Sequence, residues 1–334
     1  MQRILLIQTA FIGDVILGLP VAQRLHASYP QAAIHLLVKQ GHEDLLANHP
    51  AIARVWTWDK SRRRKYVSYI DLIGALRAER FDLVVNMQRF AATGLLTWLL
   101  RSRHKACFRS NPFSFACGHH PRHRIGPVGA ADAPHEVDRN LSLIAPWADT
   151  HREAPRLYPS EVDFERIRPY TRRGPYVVVA PATLWFTKQM PRAKWAELLR
   201  QLSAQYRVYL VGSAAEQELC QELAMLHIHG ESLAGRLSLL QSAALMAGAA
   251  QVFCNDSAPM HLASAVGAPT TAIYCSTVPD FGFGPLSAGS RCVSTSEALD
   301  CRPCSIHGLA ACPQKHFRCG HSLDVHDILG DFRK

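Results

Sequence analysis

Short apolar runs alternate with longer amphipathic stretches along the first half of the chain. Apolar runs at residues 4–8, 34–38 and 83–86 predict buried strands, and helical spacing predicts helices at residues 15–28 and 69–79. A strand-helix-strand alternation of this kind is typical of a parallel sheet that is covered by helices. The first half therefore predicts an α/β unit.

The same alternation restarts after a polar, proline-rich stretch at residues 155–175, in which residues 172–175 are the predicted linker. The predicted strands are residues 176–180, 208–212, 251–254 and 270–274, and the predicted helices are residues 193–206, 216–226, 237–247, 260–266 and 323–332. Two α/β units joined by a linker predict a protein with two lobes. Open α/β sheets bind ligands at the carboxyl ends of their strands, so we expect the site in a cleft between the lobes.

Length and composition agree with two folded domains. The chain has 334 residues, of which 48% are hydrophobic, 8% aromatic and 19% charged. This excludes a disordered tail, a collagen and a coiled coil. No apolar run reaches about 18 residues, so no membrane-spanning helix is expected. Because the N-terminus enters a strand at once, without a long apolar stretch, we predict no signal peptide and a cytoplasmic location.

Positive charge is concentrated in the first half of the chain. Residues 1–150 contain 19 basic and 11 acidic residues, a net charge of +8, while the rest carries only +2, and the densest basic run is residues 62–65. Such a surface either keeps the protein soluble or attracts phosphates, anionic lipid headgroups or nucleic acid. Nucleic acid is the weakest of these interpretations, because no known nucleic-acid-binding motif accompanies the charge.

The loop after the first predicted strand carries a candidate carboxylate. In residues 8–14, Gly13 permits a tight turn and Asp14 lies at the start of the next helix. An acidic side chain at this position commonly caps its helix. The alternative is a general base that faces the cleft.

Two loops of the second half carry candidate phosphate contacts. Lys188 lies in the loop at residues 181–191, where it either binds phosphate as a point charge or is simply exposed. Asp256 and Ser257 follow another strand and open a helix, whose N-terminus would favour a phosphate. Because Asp256 would repel a phosphate, we expect it to point at sugar hydroxyls; the alternative is an ordinary helix cap.

Together these three segments resemble glycosyltransferase family 9, the ADP-heptose:lipopolysaccharide heptosyltransferases, in order and separation. The resemblance covers nearly the whole chain, is most specific at residues 256–263, and includes residues 135–141. Two positions depart from the family pattern: Ala258 stands where the family usually has Gly, and Met190 where it often has an aromatic residue.

The resemblance implies an α/β GT-B fold, in which two Rossmann-like lobes enclose a central cleft. Residues 1–160 would form the acceptor-binding lobe, residues 175–320 the ADP-sugar-binding lobe with a Cys-rich tail, and residues 321–334 a C-terminal helix.

The implied reaction is an inverting transfer of L-glycero-D-manno-heptose from ADP-heptose to an acceptor hydroxyl, with no cofactor required for catalysis. The implied acceptor is the anionic inner core of lipopolysaccharide, so we expect peripheral contact with the cytoplasmic face of the inner membrane and no nucleic-acid partner. Three alternatives stay open: a GT-B enzyme that uses another nucleotide sugar, a protein (autotransporter) heptosyltransferase, and a non-enzymatic metal-thiolate module that binds anionic surfaces or nucleic acid.

By position, Asp14 matches the family's catalytic base. Seven residues of the second lobe match donor-binding positions: Thr187, Lys188, Glu216, Asp256, Ser257, Ala258 and His261. Within this set, Thr187 and Lys188 match the phosphate-binding segment, and the amides of Ser257 and Ala258 match the pyrophosphate cradle.

Three other donor-binding positions follow from the same resemblance. Asp256 matches the residue near the donor sugar, and Glu216 matches an acid that can hold the adenosine ribose. His261 fits the motif, but it could equally pack against or cap its own helix.

Four of the ten cysteines cluster near the C-terminus. They are Cys301, Cys304, Cys312 and Cys319, with histidines between them. This spacing suits a tetrahedral thiolate site for structural zinc or iron. The alternative is a Cys-rich loop without metal or with a disulfide. In the family that the chain resembles, an iron-bound cluster is associated with the autotransporter branch.

Overall fold

A computed structural model describes residues 1–60, 65–129 and 133–333, with the side chains of residues 65 and 66 left out. The basic run at residues 62–65 thus lies outside the described residues, apart from the backbone of Lys65. The chain divides into two compact units. Unit 1 comprises Met1–Ile125 and Pro134–Tyr158, and unit 2 comprises Gly126–Ala133 and Pro159–Lys334.

Unit 1 contains a sheet of five parallel strands in the order β3-β2-β1-β4-β5. Its strands are β1 (Arg3–Ile7), β2 (Ala33–Lys39), β3 (Arg54–Trp58), β4 (Leu83–Asn86) and β5 (His104–Cys107). Its helices are α1 (Ile12–Ser28), α2 (Lys65–Ala78), α3 (Ala91–Leu99) and α4 (Glu136–Ser142). The central strands β1 and β4 are almost wholly buried, as continuous apolar runs in a parallel sheet should be.

Unit 2 contains six parallel strands in the order β11-β10-β9-β6-β7-β8. Its strands are β6 (Tyr176–Ala180), β7 (Arg207–Leu210), β8 (Gly230–Ser232), β9 (Gln251–Asn255), β10 (Thr270–Tyr274) and β11 (Arg291–Ser294). Its helices are α5 (Glu161–Thr171), α6 (Arg192–Gln201), α7 (Gln217–Ala224), α8 (Leu239–Ala247), α9 (Ala258–Ala265), α10 (Arg318–His321) and α11 (Val325–Leu329). The prediction of two α/β units with parallel sheets is confirmed.

Several helix bounds differ from the predicted ones. The predicted helix at residues 193–206 ends at Gln201, because Leu202 turns into an extended conformation and pairs with Arg333. The continuous helix predicted at residues 323–332 is wrong. Asp324 caps the short α11, and Gly330, with φ of 54°, interrupts it before a final 3-10 turn.

Part of the proline-rich stretch that precedes the predicted linker is helical. Ser160 caps α5, since its hydroxyl accepts a hydrogen bond from the amide of Asp163.

Among the described residues, none of the helices is long and apolar enough to cross a lipid bilayer.

Candidate functional site

The carboxyl ends of β6, β9 and β10 bring three polar loops together in unit 2. These strands are neighbours in the sheet, because β9 pairs with both β6 and β10. Lys188 follows β6, Asp256 follows β9, and Ser276 and Thr277 follow β10. We call this group the donor-loop cluster.

An ion pair lies at the centre of the donor-loop cluster. The Lys188 ammonium is 2.8 Å from Oδ2 of Asp256, and the two side chains are only 14% and 8% exposed. The Thr277 hydroxyl donates a 2.7 Å hydrogen bond to the same carboxylate oxygen. The carboxylate therefore fixes the position of the ammonium, while Lys188 keeps further N–H donors for an anion.

The hydroxyl, amide and carbonyl of Thr187 all form hydrogen bonds within the protein. Its hydroxyl accepts hydrogen bonds from the Leu309 amide at 2.8 Å and from the Ser276 hydroxyl at 3.0 Å. Its amide donates to the Leu309 carbonyl at 3.1 Å, and its carbonyl accepts from the Ser276 amide at 3.2 Å. Because Thr187 is also fully buried, it supports the loop that carries Lys188.

The start of α9 forms the other side of the donor-loop cluster. Ser257 is the N-cap, and its hydroxyl donates to the Asn255 carbonyl instead of capping the helix. Pro259, which lacks an N–H, lies in the first turn. The amides at such a helix start have no acceptor within the helix, so those of Ser257 and Ala258 suit an anion. His261 lies further along α9 and is 6% exposed.

Asn255 ties the loops after β6 and β9 together. Its side-chain oxygen accepts a hydrogen bond from the Met190 amide at 2.9 Å, and its side-chain nitrogen donates to the Pro181 carbonyl at 2.8 Å. Both ends of the Lys188 loop are thus fixed to β9.

Glu216 lies at the same edge of the sheet, in a 3-10 turn after β7. Its carboxylate accepts a 2.6 Å hydrogen bond from the Ser213 amide. This contact caps the turn, so the predicted role of Glu216 at a ribose stays a prediction.

Asp14 lies in the first turn of α1 in unit 1. Its carboxylate accepts a 3.2 Å hydrogen bond from the Phe11 amide, which is the helix-capping interaction weighed from the sequence. The general-base role stays a prediction.

A second polar network lies at the carboxyl edge of the unit 1 sheet. Lys60, after β3, donates to both the carbonyl and the hydroxyl of Thr9, at 2.7 and 2.8 Å. The Thr9 hydroxyl donates to Gln88, and Gln88 donates to Gln8. No motif in the sequence indicates this network, although Thr9 and Gln88 each lie two residues after the end of a buried strand.

A loop rich in cysteine, residues 301–312, packs on the donor-loop cluster. Arg302 donates to the carbonyls of Cys275 and Thr277 at 2.7 and 2.9 Å, and the Cys304 amide donates to the Ser276 carbonyl at 3.1 Å. The sequence patterns indicated neither these contacts nor Ser276 and Thr277. Their position directly after a buried strand is the signal that could have found the last two.

The four clustered cysteines are near one another without forming a complete metal site. Burial, followed by the nearby thiols of Cys301 and Cys312, raises the pKa of Cys304, and burial is the main reason that the pKa of Cys319 rises to about 11. The sulfur of Cys301 lies 3.9 Å from Nε2 of His316. Within the described residues, however, no three His, Cys, Asp or Glu side chains come close enough to hold a metal ion.

Comparison with known proteins decides the family. The model of glycosyltransferase family 9 (heptosyltransferase) matches residues 69–308, which is well over half of the chain. The chain belongs to this family. It is therefore a glycosyltransferase, and the hypothesis of a non-enzymatic metal-thiolate module is wrong.

Family 9 relatives with known names resemble this glycosyltransferase over most of their length. Lipopolysaccharide heptosyltransferase 1 of Pseudomonas aeruginosa is 28% identical over 315 residues, which cover 91% of this chain and 86% of that protein. The solved structure of E. coli ADP-heptose lps heptosyltransferase II is 23% identical, with a TM-score of 0.73, and the match covers 95% of this chain and 97% of that one. The family 9 chain thus has the GT-B fold, as predicted.

An iron-containing structure is also similar to this family 9 chain. It is the bacterial iron-containing dodecameric glycosyltransferase TibC from enterotoxigenic E. coli H10407, with 18% identity and a TM-score of 0.57. The match covers 99% of this chain and 76% of that chain. At this identity the likeness concerns the fold alone.

Proposed function

We propose that the protein transfers L-glycero-D-manno-heptose from ADP-heptose to a hydroxyl of the lipopolysaccharide inner core, with inversion at the anomeric carbon. The Lys188–Asp256 pair beside the start of α9 is the observation that carries this proposal. It offers a fixed cation and helix amides on one edge of a sheet, as a sugar-diphosphate requires. Matches to heptosyltransferases support the choice of sugar.

The chemistry assigns one task to each part of the protein. The acceptor oxygen attacks the anomeric carbon as the bond from that carbon to the β-phosphate oxygen breaks, and ADP leaves with the electron pair. Lys188 and the amides of Ser257 and Ala258 stabilise the charge that develops on the diphosphate. Asp14 takes the proton of the acceptor hydroxyl, a contribution of roughly 10²–10⁴-fold in rate.

Replacement of Asp14 by asparagine tests the proposed base. Asn retains a side-chain oxygen for the Phe11 amide, so the helix cap survives while the proton acceptor is lost. With purified protein, ADP-heptose, a heptose-free core acceptor and EDTA, we expect Asp14→Asn to lose at least about 100-fold in kcat. Its affinity for ADP should stay unchanged.

Asp163→Asn is the matched control, because Asp163 caps α5 through the amide and hydroxyl of Ser160. It removes the same kind of carboxylate and should leave kcat unaltered. Full turnover by Asp14→Asn would remove Asp14 from the mechanism. Stabilisation by UDP- or GDP-sugars but not by ADP-heptose in a thermal-shift screen would favour another donor, and transfer to a protein Ser or Thr would favour another acceptor.

The cysteine cluster is a proposed structural metal site. Cys301 and His316 already lie within 3.9 Å, and the thiols of Cys304, Cys312 and Cys319 influence one another. Bound zinc or iron would hold the cysteine-rich loop together; the transfer chemistry proposed above does not pass through it.

Peripheral contact with the inner membrane is proposed for one surface of unit 1. Between Asp82 and Asp132 the sequence contains seven Lys or Arg and no acidic residue. On this segment Trp98 stacks on Phe113, and both rings adjoin Phe115. Trp98 is 48% and Phe115 73% exposed. The Lys105 ammonium donates to the Trp98 carbonyl at 3.0 Å, so positive charge adjoins these rings. Exposed aromatic rings with adjacent positive charge suit an interface of anionic lipids.

Vesicle sedimentation tests this surface. Trp98→Ser and Phe115→Ser should weaken binding to anionic vesicles, while Phe164→Ser, which removes a 41% exposed ring of α5, should not. Equal binding by all three variants would contradict the assignment.

A further inference from the structure

We infer that the cysteine-rich loop, residues 301–312, positions the diphosphate-binding lysine: Arg302 and the Gly308–Leu309 backbone hold Lys188 and Asp256 in their working geometry. The inference rests on the proposed function, because it takes Lys188 as a contact for a nucleotide diphosphate. None of the loop residues needs to touch the nucleotide, so these are positioning residues.

Arg302 fixes the segment that orients Asp256. Its guanidinium donates to the carbonyls of Cys275 and Thr277, and a longer contact of 3.5 Å reaches the carbonyl of Tyr274. These carbonyls lie at and just after the end of β10, in the segment whose Thr277 hydroxyl contacts Asp256. Hydrogen bonds from a charged donor are about twice as strong as neutral ones. Arg302 therefore holds Thr277 against the carboxylate.

Gly308 places the loop backbone directly against the Lys188 side chain. It is buried, with φ of +85°, and a Cβ atom there would lie 2.8 Å from Cγ of Lys188 and 2.8 Å from Cβ of Trp185. A non-glycine residue would be strained and would displace the lysine stem. The absence of a side chain at Gly308 is thus what lets Lys188 take its observed path toward Asp256.

Leu309 fastens the chain beside Lys188. Its amide donates to the Thr187 hydroxyl at 2.8 Å, and its carbonyl accepts from the Thr187 amide at 3.1 Å. The loop thus holds Lys188 at its side chain through Gly308 and at its backbone neighbour through Leu309. A lysine fixed before the ligand arrives loses less conformational entropy on binding, which favours affinity.

Nucleotide affinity in two sets of variants tests the inference. In isothermal titration with ADP, Gly308→Ala should weaken binding roughly tenfold, the effect of losing one preorganised charged contact. Gly289→Ala is the matched control: Gly289 has φ of +71°, and its nearest contact would be Cβ of Pro269 at 3.5 Å. Both variants carry backbone strain, but only Gly308→Ala displaces Lys188, so Gly289→Ala should keep the wild-type Kd.

Arg302 supplies a second set in case Gly308→Ala fails to fold. Arg302→Met keeps the side-chain stem and removes every donor, whereas Arg302→Lys keeps a charged donor group on one nitrogen and loses the guanidinium fork. We expect ADP affinity to fall in the order wild type, Arg302→Lys, Arg302→Met, and the KM for the nucleotide sugar to rise more than kcat falls. This graded rescue would not follow from a loss of stability alone.

The possible failures are distinguishable. Wild-type ADP binding together with wild-type Kd values in Gly308→Ala and Arg302→Met would overturn the positioning role and leave the proposed function intact. Loss of affinity in Gly289→Ala equal to that in Gly308→Ala would also overturn it, because strain alone would then explain both. No ADP binding by the wild-type protein would overturn the proposed function itself, and the inference with it.

Discussion

Replacing Thr277 with valine removes one hydrogen bond from the Asp256 carboxylate while nearly keeping the shape of the side chain. Thr277 is fully buried, and its hydroxyl contacts the same carboxylate oxygen as the Lys188 ammonium. With a methyl group in place of the hydroxyl, the carboxylate loses its fixed orientation, and Lys188 loses part of its anchor.

The expected cost follows from the charge of the acceptor. A hydrogen bond to an ionised group contributes about 1.5–3 kcal/mol to stability. For a domain of this size, each kcal/mol lowers the melting temperature by about 2–4 °C. We therefore expect Thr277→Val to melt about 3–12 °C lower than the wild type. If Lys188 is displaced as well, the affinity for ADP should fall roughly tenfold, which corresponds to about 1.4 kcal/mol.

Thr271→Val separates the two effects. Thr271 is equally buried, in β10, but its hydroxyl accepts a hydrogen bond from the neutral Gln251 side chain at 2.8 Å. Calorimetry should therefore show a lower melting temperature for Thr271→Val, and titration should show the wild-type affinity for ADP. The proposed anchoring of Lys188 through Thr277 and Asp256 is refuted if Thr277→Val binds ADP as tightly as the wild type. It is also refuted if Thr271→Val loses as much ADP affinity as Thr277→Val.

Two further predictions concern pH and metal. Burial lowers the pKa of His49 to about 4 from an ordinary value near 6.5. Between pH 4 and 6.5 the unfolded chain binds a proton at His49 more readily than the folded protein does. As pH falls through this range, the free energy of unfolding therefore decreases by about 3 kcal/mol because of His49. Urea unfolding at several pH values should show that the free energy of unfolding decreases less steeply with falling pH in His49→Gln than in the wild type. The same pH dependence in both proteins would contradict the lowered pKa of His49. For the cysteine cluster, elemental analysis should find zinc or iron. A chelator should lower the melting temperature of the wild type and of the control Cys292→Ser, which keeps the metal, but not that of Cys312→Ser. Absence of metal from protein purified without chelators would contradict the proposed site.

Local patterns predict the inner strands of both sheets, which are continuous buried runs such as residues 4–7 and 176–180. They miss the edge strands β3, β5, β8 and β11, which are partly exposed and lack such runs. They fail at the last helix, where Asp324 and Gly330 start and stop a much shorter element. Lys188 and Asp256 of the donor-loop cluster follow from the rule that polar side chains after parallel strands gather at one edge, whereas Ser276 and Thr277 were missed.

The partnership within the donor-loop cluster could not be predicted in the same way. Lys188 meets Asp256 because β6 and β9 are adjacent, and strand order depends on long-range packing. The contacts of Arg302 with the end of β10 join segments about 25 residues apart in sequence, without any pattern that marks them. A hypothesis based on the sequence of one loop can therefore identify a charged residue. It cannot identify the residues of other segments that fix the position of that charged side chain.

The final stretch of the polypeptide limits how far the protein can be shortened. Apolar side chains beyond residue 308, where the family match ends, belong to a hydrophobic core cluster of unit 2, and they include Phe317, Leu323, Val325, Ile328 and Leu329. At about 1.5–3 kcal/mol for each buried side chain, their removal costs on the order of 10 kcal/mol, as much as the whole stability of a typical domain. A fragment that ends at residue 308 should therefore be recovered as insoluble aggregate, and recombinant expression should retain the segment after residue 308.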